Sequence, residues 1–136
     1  SRSVPSERIV EFIDLYPTVA DLAGLKPPRD LPGVSLRPLL DDPHLEWERP
    51  AFTQILRPGE PEHIMGRVIS TARYRYIEWG GGEQGRELYD VVNDPQEVTN
   101  LANEPELQTV VKRLSQLFRE HAAGAAPTAP VNPKRL

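Results

Sequence analysis

The residues best suited to chemistry are sparse in this chain, and their spacing does not favour a metal site. The three histidines, His44, His63 and His121, lie far apart, so none forms the HxH or HxxxH pair that brings two imidazoles to one metal ion. The 136 residues include no cysteine, which excludes thiolate ligands and a cysteine nucleophile within the chain. We therefore predict neither a metal site nor a catalytic residue in this chain.

The carboxylates with catalytic potential lie in segments that have the composition of turns. Acid–base catalysis needs such groups to converge in a pocket that excludes water, whereas Asp and Asn in turns hydrogen-bond their own backbone. Residues 87–102, ELYDVVNDPQEVTNLA, join a strand-like start to an Asn-Asp-Pro turn. We predict a structural corner here, in which Pro95 fixes the turn and Asp94 and Asn100 bond exposed backbone groups.

The overall charge argues against nucleic acid or an anionic membrane surface as a partner. The net charge is -4 and the isoelectric point is ≈ 5.4, whereas nucleic-acid-binding domains present basic patches. The stretch ARYRYIEW mixes arginine with aromatic residues, a pattern that can stack on bases, but in an acidic domain it indicates a half-exposed sheet face. No apolar run approaches the length needed to cross a bilayer. We therefore expect no nucleic-acid partner and no membrane partner.

The elements that position these residues follow from apolar periodicity and turn residues. A helix is predicted at about 14–24, with Asp14 as its N-cap and Gly24 as its C-cap, and a short helical turn at 33–40. Strands are predicted in AFTQIL, MGRVIST, ARYRYIEW and RELYDVV. The last element has a clear helical period, and its apolar stripe consists of Leu107, Val110, Val111, Leu114, Leu117 and Phe118.

This order of elements predicts an α+β fold. A small antiparallel sheet of three to four strands packs against a long C-terminal helix, and a helix and loops precede it. Residues 1–45 are predicted to form a junction segment, residues 46–122 the α+β subdomain, and residues 123–136 a disordered tail, because the tail has nothing to bury.

Four segments, in the same order along the chain, resemble sulfatases of the formylglycine-dependent arylsulfatase superfamily. FIDLYPTVADLAGLKPP resembles their D-L-x-P-T…D-L-A-G segment, LPGVSLRPLLDDP their G-x-S-L-x-P-L-L segment, and ELYDVVNDPQEVTNLA their closing signature. MGRVISTARYRYIEW is similar to a stretch of the iduronate-2-sulfatase-like members, although Ser70 stands where those members usually carry Arg. The resemblance covers residues 4–121 and implies the C-terminal domain, or a fragment, of such an enzyme.

The resemblance also implies where the chemistry of such an enzyme lies. Sulfatases hydrolyse sulfate esters with a formylglycine made from the Cys or Ser of a C/S-x-P-x-R motif, and they hold a divalent cation, usually calcium. This chain has neither cysteine nor a Ser-x-Pro-x-Arg motif, so catalysis and both cofactors are expected in an N-terminal domain outside it. The implied partners are that catalytic domain, in the same protein or in a second chain, and a sulfated sugar. Such enzymes are often secreted, periplasmic or lysosomal.

The polar loop QILRPGEPEH holds the two residues that we expect to face substrate. Arg57 and His63 suit charge-assisted hydrogen bonds to a sulfated or carboxylated sugar, and loops on a rigid scaffold often carry function. The alternative for the loop is a solvated connection without function. For the whole chain, the alternative is a stand-alone binding or interaction module with this fold and no catalysis.

The N-terminal part of the sequence is rich in apolar residues. If the chain is part of a larger enzyme, the apolar residues of 9–25 are candidates to face the catalytic domain. Because large exposed apolar patches tend to be covered, we expect the isolated chain to form a homodimer.

Overall fold

The computed structural model describes residues 4–58 and 63–124 of the chain, with side chains as far as His121. Its helices are α1 (Leu15–Leu22), α2 (Arg37–Asp41) and α3 (Gln108–Gly124), and its strands are β1 (Ala51–Arg57), β2 (Ile64–Ser70), β3 (Tyr74–Trp79) and β4 (Arg86–Asp90). Short 3-10 helices span Phe12–Asp14, Gly80–Gly82 and Pro105–Leu107. Beyond residue 124, the tail that was predicted to be disordered lies outside the described residues.

The four strands form one antiparallel sheet in the order β1-β2-β3-β4, so each strand pairs with its neighbour in sequence. In the turn between β2 and β3, the backbone N–H of Thr71 donates to the carbonyl of Tyr74 at 2.9 Å. Between β3 and β4, Gly81 has φ 69°, a left-handed conformation that glycine adopts without a steric cost. These two connections are therefore short turns, as expected of a meander.

Helix α3 covers one face of the sheet and forms the main core with it. Ile69, Tyr76 and Leu88 lie directly opposite one another on three neighbouring strands and are fully buried. The helix adds its apolar stripe to this cluster: Val111, Leu114 and Phe118 are buried, and Leu107, Val110 and Leu117 are partly buried. Each fully buried side chain of this kind contributes about 1.5–3 kcal/mol. The predicted α+β arrangement, a small antiparallel sheet against a long C-terminal helix, is confirmed.

The segment after β4 returns along that strand and closes its outer edge. The Asn100 Oδ1 accepts hydrogen bonds from the backbone N–H groups of Leu88 (3.0 Å) and Ala102 (2.9 Å), and its Nδ2 donates to the Arg86 carbonyl (3.1 Å). The Leu101 N–H donates to the Leu88 carbonyl at 2.8 Å. An edge strand otherwise presents unpaired N–H and C=O groups, so this segment supplies partners that a fifth strand would have supplied.

The turn that leads into this segment begins at Asp94 and Pro95. The Glu97 N–H donates to the Asp94 carbonyl at 3.0 Å, which places Pro95 in the second position of a β-turn, where its fixed φ is favourable. The Asp94 Oδ2 accepts the Thr99 N–H at 2.8 Å. These contacts support the structural role predicted for the corner.

Asp14, which is fully buried, ties the N-terminal segment to two distant parts of the chain. Its carboxylate accepts the N–H groups of Glu11 (2.9 Å) and Val34 (2.8 Å) and bonds the Arg49 guanidinium (3.2 Å). Burial alone would raise the pKa of Asp14, but these hydrogen bonds outweigh it and lower the pKa. Asp14 is the N-cap of α1 by position, as predicted, yet its side chain makes no hydrogen bond that caps α1, because both oxygens have these other partners.

Helix α1 lies inside the predicted range and leaves one side uncovered. It ends at Leu22, and its C-cap is Ala23 rather than the predicted Gly24. Gly24 follows with φ 69°, the left-handed conformation common just after helix C-termini. The inner side carries Pro17, Thr18 and Ala20, which are buried. The outer side, which we call the apolar face, consists of side chains that are more than half exposed: Phe12, Tyr16, Val19, Leu22 and Leu25.

Candidate substrate-facing site

Both residues predicted to face substrate lie at the same end of the β1–β2 hairpin. Arg57 is the last residue of β1, and His63 immediately precedes β2. The sheet register pairs Arg57 with Ile64, the residue after His63, and both predicted side chains are exposed. The fold therefore brings the two residues to one corner of the sheet.

Arg57 lies flat against an aromatic ring on the face of the sheet opposite α3. Its guanidinium carbon is 3.7 Å from the centroid of the Trp79 ring, within the range of a cation–π contact. The stack covers the indole, which is only 6% exposed although it ends a strand. Each partner therefore restricts the other: the indole orients the guanidinium, and the guanidinium shields the indole.

The other surface of the indole rests on a glycine. The register pairs Trp79 with Gly66 across β2 and β3. A Cβ atom at Gly66 would lie 2.4 Å from the Trp79 Cζ3, closer than any real contact, so a side chain at this position would displace the ring. The absence of a side chain at Gly66 is what allows Trp79 to lie flat on the sheet.

A carboxylate fixes the edge of the same ring. The Trp79 Nε1–H donates to Glu87 Oε1 at 2.7 Å, and the Tyr89 hydroxyl donates to Glu87 Oε2 at 2.7 Å. The hydrogen bond to Glu87, with partial burial, raises the pKa of Tyr89 to about 12. Tyr89, Glu87, Trp79 and Arg57 thus form one connected chain of contacts across three strands.

A pocket of ≈ 350 Å³ opens beside this chain of contacts. Its lining consists of Arg57, Ile64, Trp79, Gln84, Gly85, Arg86, Glu87 and Asn100. Its volume falls at the lower end of the range of small-molecule sites. It offers a guanidinium, a carboxylate and an indole within one concave surface, which suits a ligand that carries both an anionic group and hydroxyl groups.

The sequence predicts Arg57 as a substrate-facing residue, but no sequence pattern pointed to Trp79 or Glu87 as its neighbours. Strand alternation alone provides no register that would place Arg57 above Trp79. The pairings of Arg57 with Ile64 and of Gly66 with Trp79 supply that register. A glycine inside the predicted strand MGRVIST was the available signal, since such a glycine often marks the close approach of another group.

Two other arginines at the sheet form separate ion pairs. Arg73 bonds Asp90 at 2.9 Å, and Arg75 bonds Glu97.

Among residues 4–58 and 63–124, no cluster of three or more His, Cys, Asp or Glu side chains is placed to hold a metal ion. The described residues therefore do not fit the calcium that the resemblance implies for the whole enzyme. None of the described helices is long and apolar enough to span a membrane.

Residues 2–123 match the family described as "N-sulphoglucosamine sulphohydrolase, C-terminal". The chain is 34% identical over 113 residues to a Δ4,5-hexuronate-2-O-sulfatase of Bacteroides thetaiotaomicron, with 82% of this chain and 22% of that protein covered. It is 32% identical over 111 residues to arylsulfatase K of Mus musculus, with 76% of this chain and 20% of that protein covered. The chain thus spans about a fifth of the length of these relatives.

The fold has a close counterpart among solved structures. One of them is a protein in complex with its substrate, D-glucosamine-2-N,6-O-disulfate. The TM-score is 0.69 at 29% sequence identity, with 82% of this chain and 23% of that chain covered. The counterpart therefore contains this α+β unit as a minor part of a larger molecule.

Proposed function

Because the chain belongs to the family of N-sulphoglucosamine sulphohydrolase C-terminal domains, we propose that it is the C-terminal part of a sulfatase. In this proposal the whole protein hydrolyses sulfate esters of sugars, and the formylglycine and the divalent cation belong to a catalytic domain N-terminal to this chain. The observation that carries the proposal is the family match over residues 2–123 together with relatives, named as sulfatases, of whose length the matched residues span about a fifth. This chain supplies structural support and one side of the substrate cleft.

The apolar face is the surface that we propose to dock on the catalytic domain. Phe12 is 89% exposed, and Val19 and Leu25 are about two-thirds exposed. A contiguous patch of large apolar side chains is uncommon on a protein that is complete as a monomer. Each such side chain gains about 1.5–3 kcal/mol when a partner buries it fully, which is ample for a stable interface between domains.

An association experiment tests this docking. The chain is co-expressed with the upstream catalytic portion of its native polypeptide and purified through a tag on that portion. Val19→Glu is expected to abolish co-purification, because it puts a charge into the interface. The substitution should not disturb the fold of the isolated chain, because Val19 is exposed to solvent there. Val98→Glu is the matched control, since Val98 is 76% exposed on the corner segment. Equal co-purification of both variants would refute docking through the apolar face.

Arg57 and His63 are proposed to contribute to the substrate cleft of the whole enzyme. The position of both at one end of the β1–β2 hairpin and the fixed orientation of the Arg57 guanidinium support this role. We expect Arg57→Ala and His63→Ala in the full-length enzyme to lower kcat/KM for sugar sulfates. A pair of variants with unchanged kcat/KM for every sugar sulfate tested would show that the loop is a solvated connection.

Mass measurement separates the proposal from the alternative of a stand-alone binding module. Peptide mapping of the protein from its native source is expected to show a much longer polypeptide, or a tightly bound second chain that carries a formylglycine peptide. A native chain of this length alone, without such a partner, would make the binding module the better description.

A further inference from the structure

The pocket beside Arg57 and Trp79 has the chemistry of a carbohydrate subsite. We infer that it binds one acidic sugar unit, with the anionic group of the sugar on Arg57 and a hydroxyl group on Glu87. The inference rests on the proposed function, because it assigns a ligand class to the cleft side of this chain. It adds Trp79, Glu87 and Tyr89 to the residues that shape substrate preference.

The stacked geometry leaves Arg57 ready for an anion. A guanidinium that lies flat on an indole contacts the ring through its own planar face. Its N–H groups then point outward in the plane of the guanidinium, where two of them can bond one carboxylate or one sulfate. Among the described residues, no carboxylate lies within salt-bridge distance of Arg57. A ligand would therefore not have to displace a described internal ion pair to reach it.

Trp79, Glu87 and Tyr89 act as positioning residues for this guanidinium. The indole is held from below by contact with the Gly66 backbone and at its edge by the 2.7 Å hydrogen bond to Glu87. Tyr89 occupies the other oxygen of Glu87. Because the ring is fixed on two sides, Arg57 loses less conformational entropy on binding than a free surface arginine would.

The same carboxylate sets the selectivity of the pocket. A carboxylate accepts about four hydrogen bonds, so Glu87 retains acceptor capacity for a sugar hydroxyl beyond its two internal donors. Its negative charge also disfavours a small anion that has no hydroxyl group to offer. An acidic sugar meets both requirements, a neutral sugar lacks the group for Arg57, and inorganic sulfate lacks the donor for Glu87.

The test is an NMR titration of the full ¹⁵N-labelled chain with four probes: D-glucuronate, D-glucose 6-sulfate, D-glucose and inorganic sulfate. The chain has two tryptophans, and they report from different places. The Trp79 indole N–H lies in the pocket, whereas the Trp47 indole N–H donates to the Ile9 carbonyl at 3.0 Å in the N-terminal segment and serves as the internal reference. We expect glucuronate or glucose 6-sulfate to shift Trp79 saturably and to leave Trp47 unchanged.

The two acidic probes distinguish the source of the anionic group. Tighter binding of glucuronate assigns the subsite to a uronic acid carboxylate, and tighter binding of glucose 6-sulfate assigns it to a second sulfate group. Either result supports an acidic sugar. Binding of glucose or of inorganic sulfate as tight as that of the acidic sugars would overturn the inference.

Charge-matched variants separate a specific contact from general attraction. Arg57→Gln is expected to weaken binding about tenfold or more, the usual effect of losing hydrogen bonds to a charged group. Arg57→Lys keeps the charge but loses the planar stack, and we expect it to weaken binding several-fold. Arg113→Gln, at an exposed position of α3, removes the same charge from the other face of the sheet and should bind like the wild-type chain. Equal binding by the two glutamine variants would overturn the inference.

The outcome is independent of the association experiment on the apolar face. The titration uses this chain alone, whereas the proposed function is judged by co-purification and by peptide mapping. Loss of sugar binding with intact association would discard the subsite and keep the sulfatase proposal. Sugar binding without any catalytic partner would keep the subsite and assign it to a stand-alone module.

Discussion

Replacing Asn100 by alanine should lower the free energy of unfolding more than any other single substitution at the corner after β4. The Asn100 side chain bonds β4 at its first residue, Arg86, and at its middle residue, Leu88, and it also accepts from Ala102. Alanine removes all three hydrogen bonds while leaving the backbone path of the segment unchanged. The variant therefore isolates what the side-chain amide contributes.

The expected loss follows from the surroundings of each group. Leu88 is fully buried, so its N–H would be left without an acceptor, at a cost of about 1–3 kcal/mol. Ala102 N–H and Arg86 C=O lose one hydrogen bond each, and at about 0.5–1 kcal/mol apiece these bring the total to about 2–5 kcal/mol. Such a loss is a large fraction of the roughly 5–15 kcal/mol by which small domains are stable.

Urea denaturation followed by tryptophan fluorescence measures this loss. We expect a lower midpoint for Asn100→Ala at an unchanged slope, since the surface exposed on unfolding stays the same. Asn100→Asp retains the acceptor for both N–H groups and loses only the donor to Arg86, so it should cost about 1 kcal/mol. Asn103→Ala, at an exposed position three residues on, is the matched control and should have little effect.

Two results would refute the reasoning. A loss below about 0.5 kcal/mol for Asn100→Ala would mean that water or a backbone shift replaces the amide, which contradicts a structural corner. A loss for Asn100→Asp as large as that for alanine would mean that the two accepted hydrogen bonds are not the main contribution.

Three further predictions concern other parts of the molecule. Gly66→Ala should cost about 1–3 kcal/mol in the same urea assay, because its Cβ would meet the Trp79 ring at 2.4 Å; a neutral result would mean that the indole does not lie flat on the strand. Asp14 has a folded pKa below its ordinary value of 3.8, so its stabilisation is present above that pH and is lost as the pH falls through the lower folded pKa; Asp14→Asn should remove this part of the acid dependence, as thermal unfolding from pH 7 to pH 2 would reveal. Sedimentation of the isolated chain should show a homodimer that Val19→Glu converts to a monomer, and a wild-type monomer at high concentration would contradict coverage of the apolar face.

Local patterns in the sequence were sufficient to predict the helices and strands and how they form layers. The apolar stripe of α3 identified its buried side because a helix of period 3.6 places such residues on one face. Turn residues such as the glycines at 80–82 separated the strands, and consecutive antiparallel strands usually pair. The fold class therefore depended on signals that each lie within one element or one turn.

The contacts that the sequence did not reveal join residues far apart in the chain. The neighbours of Asp14 in sequence predict a helix cap, but its side chain bonds Val34 and Arg49 instead. The stack of Arg57 on Trp79 depends on two strand registers at once. Neither register follows from hydrophobic alternation alone, because a shift by two residues preserves the pattern of faces.

The closed outer edge of β4 limits how copies of this chain can assemble through their backbones. Open-ended stacking of sheets into a fibre requires two free edges on every molecule, one to receive a strand and one to offer the next. The Asn100 amide and the Leu101 N–H occupy the groups that β4 would offer. Pairing between copies could therefore occur only through β1 and would stop after two molecules. A change that detached the whole segment from β4, including the Leu101 N–H, would remove this limit and turn a self-terminating contact into one that can propagate.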